Sequence, residues 1–176
     1  YPHLVLRPAP IEDQTEARAR SGEPLILRAL TENDFDAFRT FVMTLSDKSY
    51  FYRFHTATRP STARLAALCR PSWIESGVWG LFAETGALVA GGNTDKEAEF
   101  GIAVLDSWQR QGLARILMNK LETEAFAEGF HTMVGLVLPG NEAMEHAMTA
   151  LGYMLDNASA GDSREARRWI RRLQPS

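Results

Sequence analysis

The chain has very little cysteine: Cys69 is the single thiol in 176 residues, so no intrachain disulfide can form. A lone cysteine with no histidine partner motif is read as a reduced thiol rather than a nucleophile. No apolar run approaches the roughly 18 residues needed to cross a bilayer, and no signal-peptide pattern is visible. The expected setting is therefore cytoplasmic, with no membrane partner. Positive charge is not in excess either: 19 Lys and Arg against 22 Asp and Glu give a net charge of −3. That excludes the basic footprint of a general nucleic-acid binder. His3, His55, His131 and His146 lack zinc-ligand spacing, so no metal is expected. Internal repeats are absent, and Gly91-Gly92-Asn93 reads as a turn rather than a nucleotide fingerprint.

What remains is an ordinary globular composition, 45% hydrophobic and 23% charged, long enough for one domain with a substantial core. Residues 1–24 are rich in Pro, Glu, Arg and Ala and read as an N-terminal extension, with a polar helix over 11–20 closed by Ser21-Gly22. The domain proper is placed at 25–176. Residues 25–29 form a short apolar strand. Thr31 or Asn33 caps a helix whose Phe35, Phe38, Phe41, Val42 and Leu45 share one face. A loop follows over 46–60, then a short helix from Ser61. Strands are expected at 78–83, 87–91 and 98–105, with residues 93–96 as a turn. A long amphipathic helix spans 112–128, ended by Gly129. A strand at 131–138, a helix at 141–151 and a strand from Tyr153 complete the pattern. The last segment is ambiguous. As a strand, Trp169 and Leu173 would share a face with Arg167 and Arg171. The arginines at 164, 167, 168, 171 and 172 read as a solvated basic end. The alternation of strands and helices indicates one α/β or α+β domain.

The segment Gln109-Arg110-Gln111-Gly112-Leu113-Ala114-Arg115 lies between a strand and the long helix. The first N–H groups of a helix have no partner inside it, and with the helix dipole they suit a phosphate. Gly112 and Ala114 permit close approach, and Arg110 and Arg115 add charge at the rim.

This Gln-x-x-Gly-x-Ala pattern resembles the acetyl-CoA pyrophosphate loop of the GNAT N-acetyltransferase superfamily. Two further stretches resemble the bacterial Pat-type protein lysine acetyltransferase domain. One is Leu45-Ser46 through Ser49, Tyr50, Tyr52, Arg53, Phe54 and His55, similar to a Leu-Ser-x-x-Ser-x-Tyr-x-Arg-Phe segment with its first tyrosine shifted. The other is Ala98-Glu99, running on to Asp106-Ser107-Trp108-Gln109. Asn141-Glu142-Ala143-Met144, followed by Leu151-Gly152-Tyr153, resembles the superfamily's late helix.

The resemblance implies a central mixed, mostly antiparallel twisted sheet, splayed between its fourth and fifth strands, with helices on both faces. It implies acetyl-CoA as acyl donor and a primary amine, of a protein lysine or a small molecule, as acceptor. The main chain of Ile102, Ala103 and Val104 would meet the pantetheine arm as an added strand. Gln109, Arg110, Gln111, Gly112, Leu113, Ala114 and Arg115 would hold the pyrophosphate. Asn141 would meet the pantetheine region, and capping of its helix is an equal and compatible role. Glu99 falls where Pat-like enzymes keep a catalytic glutamate, with Glu97 on the same strand face as its competitor. A base is needed because an amine must lose its proton before attacking a thioester. Tyr50, Tyr52, Arg53 and His55 are candidate acceptor contacts, with Phe51 and Phe54 as packing anchors. The family's usual tyrosine acid, seven residues after the asparagine, is replaced by Met148, and Tyr153 reads as core. The competing reading is a non-catalytic acetyl-CoA sensor. The sequence leaves monomer and homodimer open.

Overall fold

The computed structural model describes residues 14–63, 65, 78–95, 97–157 and 165–175. Its frame is an eight-stranded sheet of order β1-β2-β3-β4-β5-β6-β8-β7. The strands are β1 (Thr15–Arg18), β2 (Pro24–Ala29), β3 (Trp79–Ala83), β4 (Leu88–Thr94), β5 (Glu99–Val104), β6 (Thr132–Val137), β7 (Met154–Leu155) and β8 (Arg167–Arg172). The helices are α1 (Phe35–Thr44), α2 (Asp47–Phe54), α3 (Leu113–Ala127) and α4 (Glu142–Ala150). Every strand pairing is antiparallel except β5 with β6. Parallel neighbours need a crossover, and α3 supplies it.

The β5–β6 pair is the decisive feature. It is in register only at Glu99↔Val134 and Phe100↔Gly135. Beyond Phe100 the two strands part, while β5 stays paired with β4 up to Ala90↔Val104. Counted from Leu25, these are the fourth and fifth strands, where the splay was expected.

Each face of the sheet carries its own core. Leu113, Leu117, Met118 and Leu121 of α3 pack on Leu81, Val89, Phe100 and Ile102, in a cluster that also holds Met148, Leu151 and Trp169. Phe41, Val42 and Leu45, from α1 and its end, pack with Tyr50, Phe82 and Leu88. Gly129 (φ 94°) closes α3, with Phe130 N–H donating to the Ala125 carbonyl at 3.0 Å, as a left-handed cap should.

Several sequence expectations need correcting. Where the polar helix was expected, residues 15–18 form β1, which pairs with β2 through a turn in which Gly22 takes φ 95°. Its side chains lie on an edge strand, so the pattern lacks the apolar face that would have marked it. The loop expected over 46–60 contains α2, capped by Ser46, whose Oγ accepts from Ser49 N–H at 3.1 Å. Gly91, Gly92 and Asn93 are not a turn; they belong to β4, opposite Ala103, Ile102 and Gly101. The last segment is a strand, with Trp169 and Leu173 buried as the strand reading required. Three of its arginines also form ion pairs, Arg167 with Glu145 at 3.8 Å, Arg168 with Asp156 at 2.9 Å and Arg171 with Glu122 at 3.1 Å, while Arg172 is exposed. Cys69, His3, Arg164 and most of the helix expected from Ser61 lie outside the described residues. No helix among the described residues is long and apolar enough to cross a membrane.

Candidate active site

The parting of β5 from β6 opens a cleft of about 740 Å³, floored by β5 and walled by α2, the start of α3 and the start of α4. The first element of the cleft is the loop before α3. The chain enters the left-handed region at Arg110 (φ 62°) and again at Gly112 (φ 81°). Such alternation turns successive N–H groups inward as an anion nest. Among the described residues, none of the N–H groups of residues 110–115 donates a hydrogen bond to the protein. Six consecutive unpaired donors at a helix start, with no ion-pair partner for Arg110 or Arg115 among the described residues, suit a phosphate group. A non-glycine residue in the left-handed region costs about 1–2 kcal/mol, so Arg110 is held there by its surroundings.

The edge of β5 beyond Phe100 is the second element. Hydrogen-bonding direction alternates along a strand. Leu105 N–H points to Val89 of β4, so Ala103 faces β4 and the main chains of Ile102 and Val104 face the gap. The Val104 carbonyl is met by Gln109 Nε2 at 3.2 Å, and the same amide donates to Ser49 Oγ at 3.2 Å. The Gln109 side chain is thus committed to the protein. Asn141 also lines the cleft, while its Oδ1 accepts from Met144 N–H at 3.3 Å and caps α4.

Glu99 stands at the fork itself, half-buried, in the same cleft. The side chain of Asp95 shapes the turn before it, accepting from the N–H groups of Glu97 and Glu99, each at 2.9 Å. Burial, then the charges of Asp95 and Glu97, hold the Glu99 carboxyl above the ordinary carboxylate range, against the opposing pull of Arg168 and Arg53. Glu97 is exposed and does not line the cleft.

Arg53 reaches across from α2. Its Nη2 donates to Asn93 Oδ1 at 2.9 Å, and its Cζ lies 5.0 Å from the Phe54 ring centre. Asn93 faces Gly101 across β4 and β5. A Cβ on Gly101 would lie 2.5 Å from Arg53 Cζ, so only glycine lets the guanidinium lie flat there. Burial lowers the Arg53 pKa, and Glu99 works against that shift. His55 also lines the cleft and is held below its ordinary value by burial and by Arg53. Tyr52 spans the mouth, its hydroxyl donating to the Gly140 carbonyl at 3.1 Å.

Tyr50 does not join them. It is 3% exposed, donates to the Thr58 carbonyl at 3.2 Å and packs 4.7 Å from the Phe54 ring centre. The anchor roles are reversed: Phe51 and Phe54 are 42% and 37% exposed, because α2 turns Tyr50 inward. Tyr153 is 3% exposed, and its hydroxyl donates to Glu122 Oε1 at 3.0 Å, away from the cleft. Burial and the Glu122 charge raise its pKa far above that of a free phenol. Met148 is wholly buried.

A tie between the two walls was not legible in the sequence. Ser46 Oγ and Ser49 Oγ donate to Asp106 Oδ2 at 2.8 and 3.1 Å, and Ser46 N–H donates to Oδ1 at 3.2 Å. Burial raises the Asp106 pKa, and these bonds more than reverse it, leaving the carboxyl below its ordinary value. The Ser46-to-Ser49 spacing signals a helix cap. Nothing local signals that Asp106, 60 residues on, completes it. Among the described residues, no group of three or more His, Cys, Asp or Glu gathers as a metal site.

A sheet parted at its one parallel pair, with an N–H nest at the following helix, defines the acyl-CoA N-acyltransferase architecture. A model of the acetyltransferase (GNAT) family matches residues 39–153, and the chain belongs to that family. It is 26% identical over 142 residues to acetyltransferase Pat of Mycolicibacterium smegmatis, covering 77% of this chain but only 43% of that relative. Among solved structures, the GNAT domain of S. lividans PAT is similar with TM-score 0.82 and 21% identity, over 93% of this chain and 99% of that one. Spermidine N-acetyltransferase from Vibrio cholerae, crystallised with CoA and spermine, is similar with TM-score 0.68 and 18% identity, over 85% and 95%. YncA of Salmonella typhimurium, crystallised with acetyl-CoA, has TM-score 0.65 and 16% identity, over 86% and 95%.

Proposed function

We propose that the chain transfers an acetyl group from acetyl-CoA to a primary amine, with Glu99 as the general base. The observation that carries this reading is the position of Glu99: it stands where β5 and β6 part, in the same cleft as six free N–H groups. The pyrophosphate lies on the N–H groups of residues 110–115. The pantetheine arm runs along the edge of β5 that parts from β6, at Ile102 and at Val104, whose carbonyl is shared with Gln109, then past Asn141, and brings the thioester to the fork. Glu99 takes the ammonium proton of the acceptor, directly or through a water. The free amine adds to the thioester carbonyl, and the nitrogen of the adduct gives its second proton to solvent water. The C–S bond breaks, leaving the acetyl on nitrogen and the coenzyme as thiolate. That thiolate leaves without a phenol, since Met148 carries no proton to give, and is protonated from water. A thiolate near its own pKa is a tolerable leaving group.

Tyr52, Arg53 and His55 form the acceptor side. The acceptor is a protein lysine, as for Pat-type domains, or a small amine such as a polyamine. The catalytic unit is residues 25–176, to which β1 adds an edge strand, and its setting is the cytoplasm. A sensor that binds acetyl-CoA without turnover is the competing reading, and the Glu99 environment speaks against it. The test is acetyl transfer by parent and Glu99→Gln to a lysine peptide and to spermidine, beside acetyl-CoA binding measured by calorimetry. Binding with no transfer by the parent to either acceptor class, or to a wider amine panel, would leave the sensor reading standing.

A further inference from the structure

The hairpin turn between β1 and β2 touches the loop before α3 directly. Arg20 N–H donates to the Gln111 carbonyl at 2.8 Å, and Ser21 N–H donates to Gln111 Oε1 at 2.9 Å. Gln111 is therefore gripped from both its main chain and its side chain. The turn doing this is itself rigid: Ala19 N–H donates to Glu23 O at 3.0 Å, Gly22 N–H to Ala19 O at 2.9 Å, and Arg18 Nη1 to Gly22 O at 3.0 Å. Ala19 is buried in the α3-side core, which fixes the base of the turn. The result is that Arg20, 91 positions before Gln111 in sequence, lines the same cleft as Arg110 and Arg115. Arg20 is exposed, and no ion pair occupies it among the described residues. Three unneutralised arginines thus gather at one rim of a chain whose net charge is −3.

We infer that the N-terminal hairpin is part of the nucleotide site, with Arg20 a phosphate-binding residue for the acyl-CoA and the Gln111 clasp the device that delivers it. This rests on the proposed role of residues 110–115. The pyrophosphate needs only the N–H nest, whereas a third cation at the rim suits the further phosphate on the ribose 3′ position. A guanidinium presents a planar fork of donors to phosphate oxygens. It acts here at an exposed rim, so its contribution is modest and salt-sensitive.

The experiment is calorimetric binding of coenzyme A and of 3′-dephospho-coenzyme A to the parent, Arg20→Gln, Arg20→Lys, Gln111→Ala and Gly112→Asp, with a thermal melt for each. Arg20→Gln is expected to weaken coenzyme A roughly three- to fivefold, the scale of an exposed ion pair. Its affinity for the dephospho form should match the parent's, and Arg20→Lys should keep most of the difference. Combined with Gln111→Ala, the Arg20→Gln effect should shrink, because the clasp no longer holds the arginine in place. Equal weakening of both ligands by Arg20→Gln would move the contact to the pyrophosphate and overturn the 3′ assignment. Unchanged affinity for both would overturn the inference altogether. Gly112→Asp separates the two layers of the argument. If it abolishes binding while Arg20→Gln does nothing, the loop reading stands and the hairpin reading falls. If Gly112→Asp binds as the parent does, the loop reading itself has failed.

Discussion

The two halves of the cleft are built from different materials. On the side proposed for the nucleotide the available groups are main-chain N–H donors at 110–115 and the edge of β5 that parts from β6. On the side proposed for the acceptor they are side chains: Glu99 from β5, Arg53 and Tyr52 from α2, with Asn93 of β4 and Gly140 before α4 as partners of the last two. A backbone site depends on local φ and ψ and tolerates many residues, provided the turn can form. A side-chain site depends on what several distant segments bring together. Substitutions should therefore act differently on the two sides, through affinity on one and through chemistry and its pH dependence on the other.

The largest effect belongs to Glu99. Glu99→Gln should lower turnover at neutral pH by about 10²-fold, the usual scale for a lost general base. Acetyl-CoA affinity should stay near the parent's. The deficit should narrow as pH rises and more amine is free. Steady-state kinetics across pH check both points. If acetyl-CoA affinity fell along with turnover, the two halves would not be separable in the way proposed.

On the other side, Gly112→Asp combines left-handed strain of about 1–2 kcal/mol with a carboxylate at the proposed anion site. Acetyl-CoA affinity should drop by about tenfold or more, while turnover at saturating acetyl-CoA is largely kept. A KM and kcat measurement separates these outcomes.

A subtler test concerns Arg53. Asp95, Glu97, Arg168 and Arg53 all bear on the Glu99 carboxyl. Removing Arg53 removes one of the two charges that lower its pKa, so Arg53→Gln should raise that pKa further. A base works only when deprotonated. The rate therefore falls as pH drops through the Glu99 pKa, and in the variant this acid limb should move to higher pH. Gly101→Ala should displace the guanidinium and move the limb the same way. A limb that stays put in both variants would show that Arg53 acts on the acceptor alone.

The smallest effect on turnover is expected at Met148. Met148→Ala should cost stability, about 2–5 kcal/mol for a buried site, with turnover per folded molecule kept. Neither it nor Tyr153→Phe should alter the rate near pH 10, since the Tyr153 hydroxyl is engaged by Glu122 outside the cleft. Denaturation curves and a high-pH rate profile are the measurements. A limb near pH 10 that vanishes in Tyr153→Phe would restore a phenolic acid to the mechanism.

What the sequence determined by itself is what depends on near neighbours along the chain. Strand, loop and helix from 98 to 128 were legible because apolar periodicity and Gly112 act within a few residues. The caps at Asn141 and Gly129 were legible for the same reason. Glu99 was legible as a residue, through a resemblance, but not as a group with a raised pKa, which needs Asp95, Glu97 and burial at the fork. Helix α2 was hidden because its inward face is carried by Tyr50 and its cap is completed by Asp106, 60 positions away from Ser46. β1 was hidden because an edge strand with exposed side chains has no apolar alternation to show. The tertiary structure alone decided that Arg20 meets Gln111, that Tyr50 turns inward while Tyr52 spans the cleft, and that Arg53 lies on Gly101. Each of these is a contact between segments far apart in the chain, fixed by packing across the two faces of one sheet, and no local pattern encodes it.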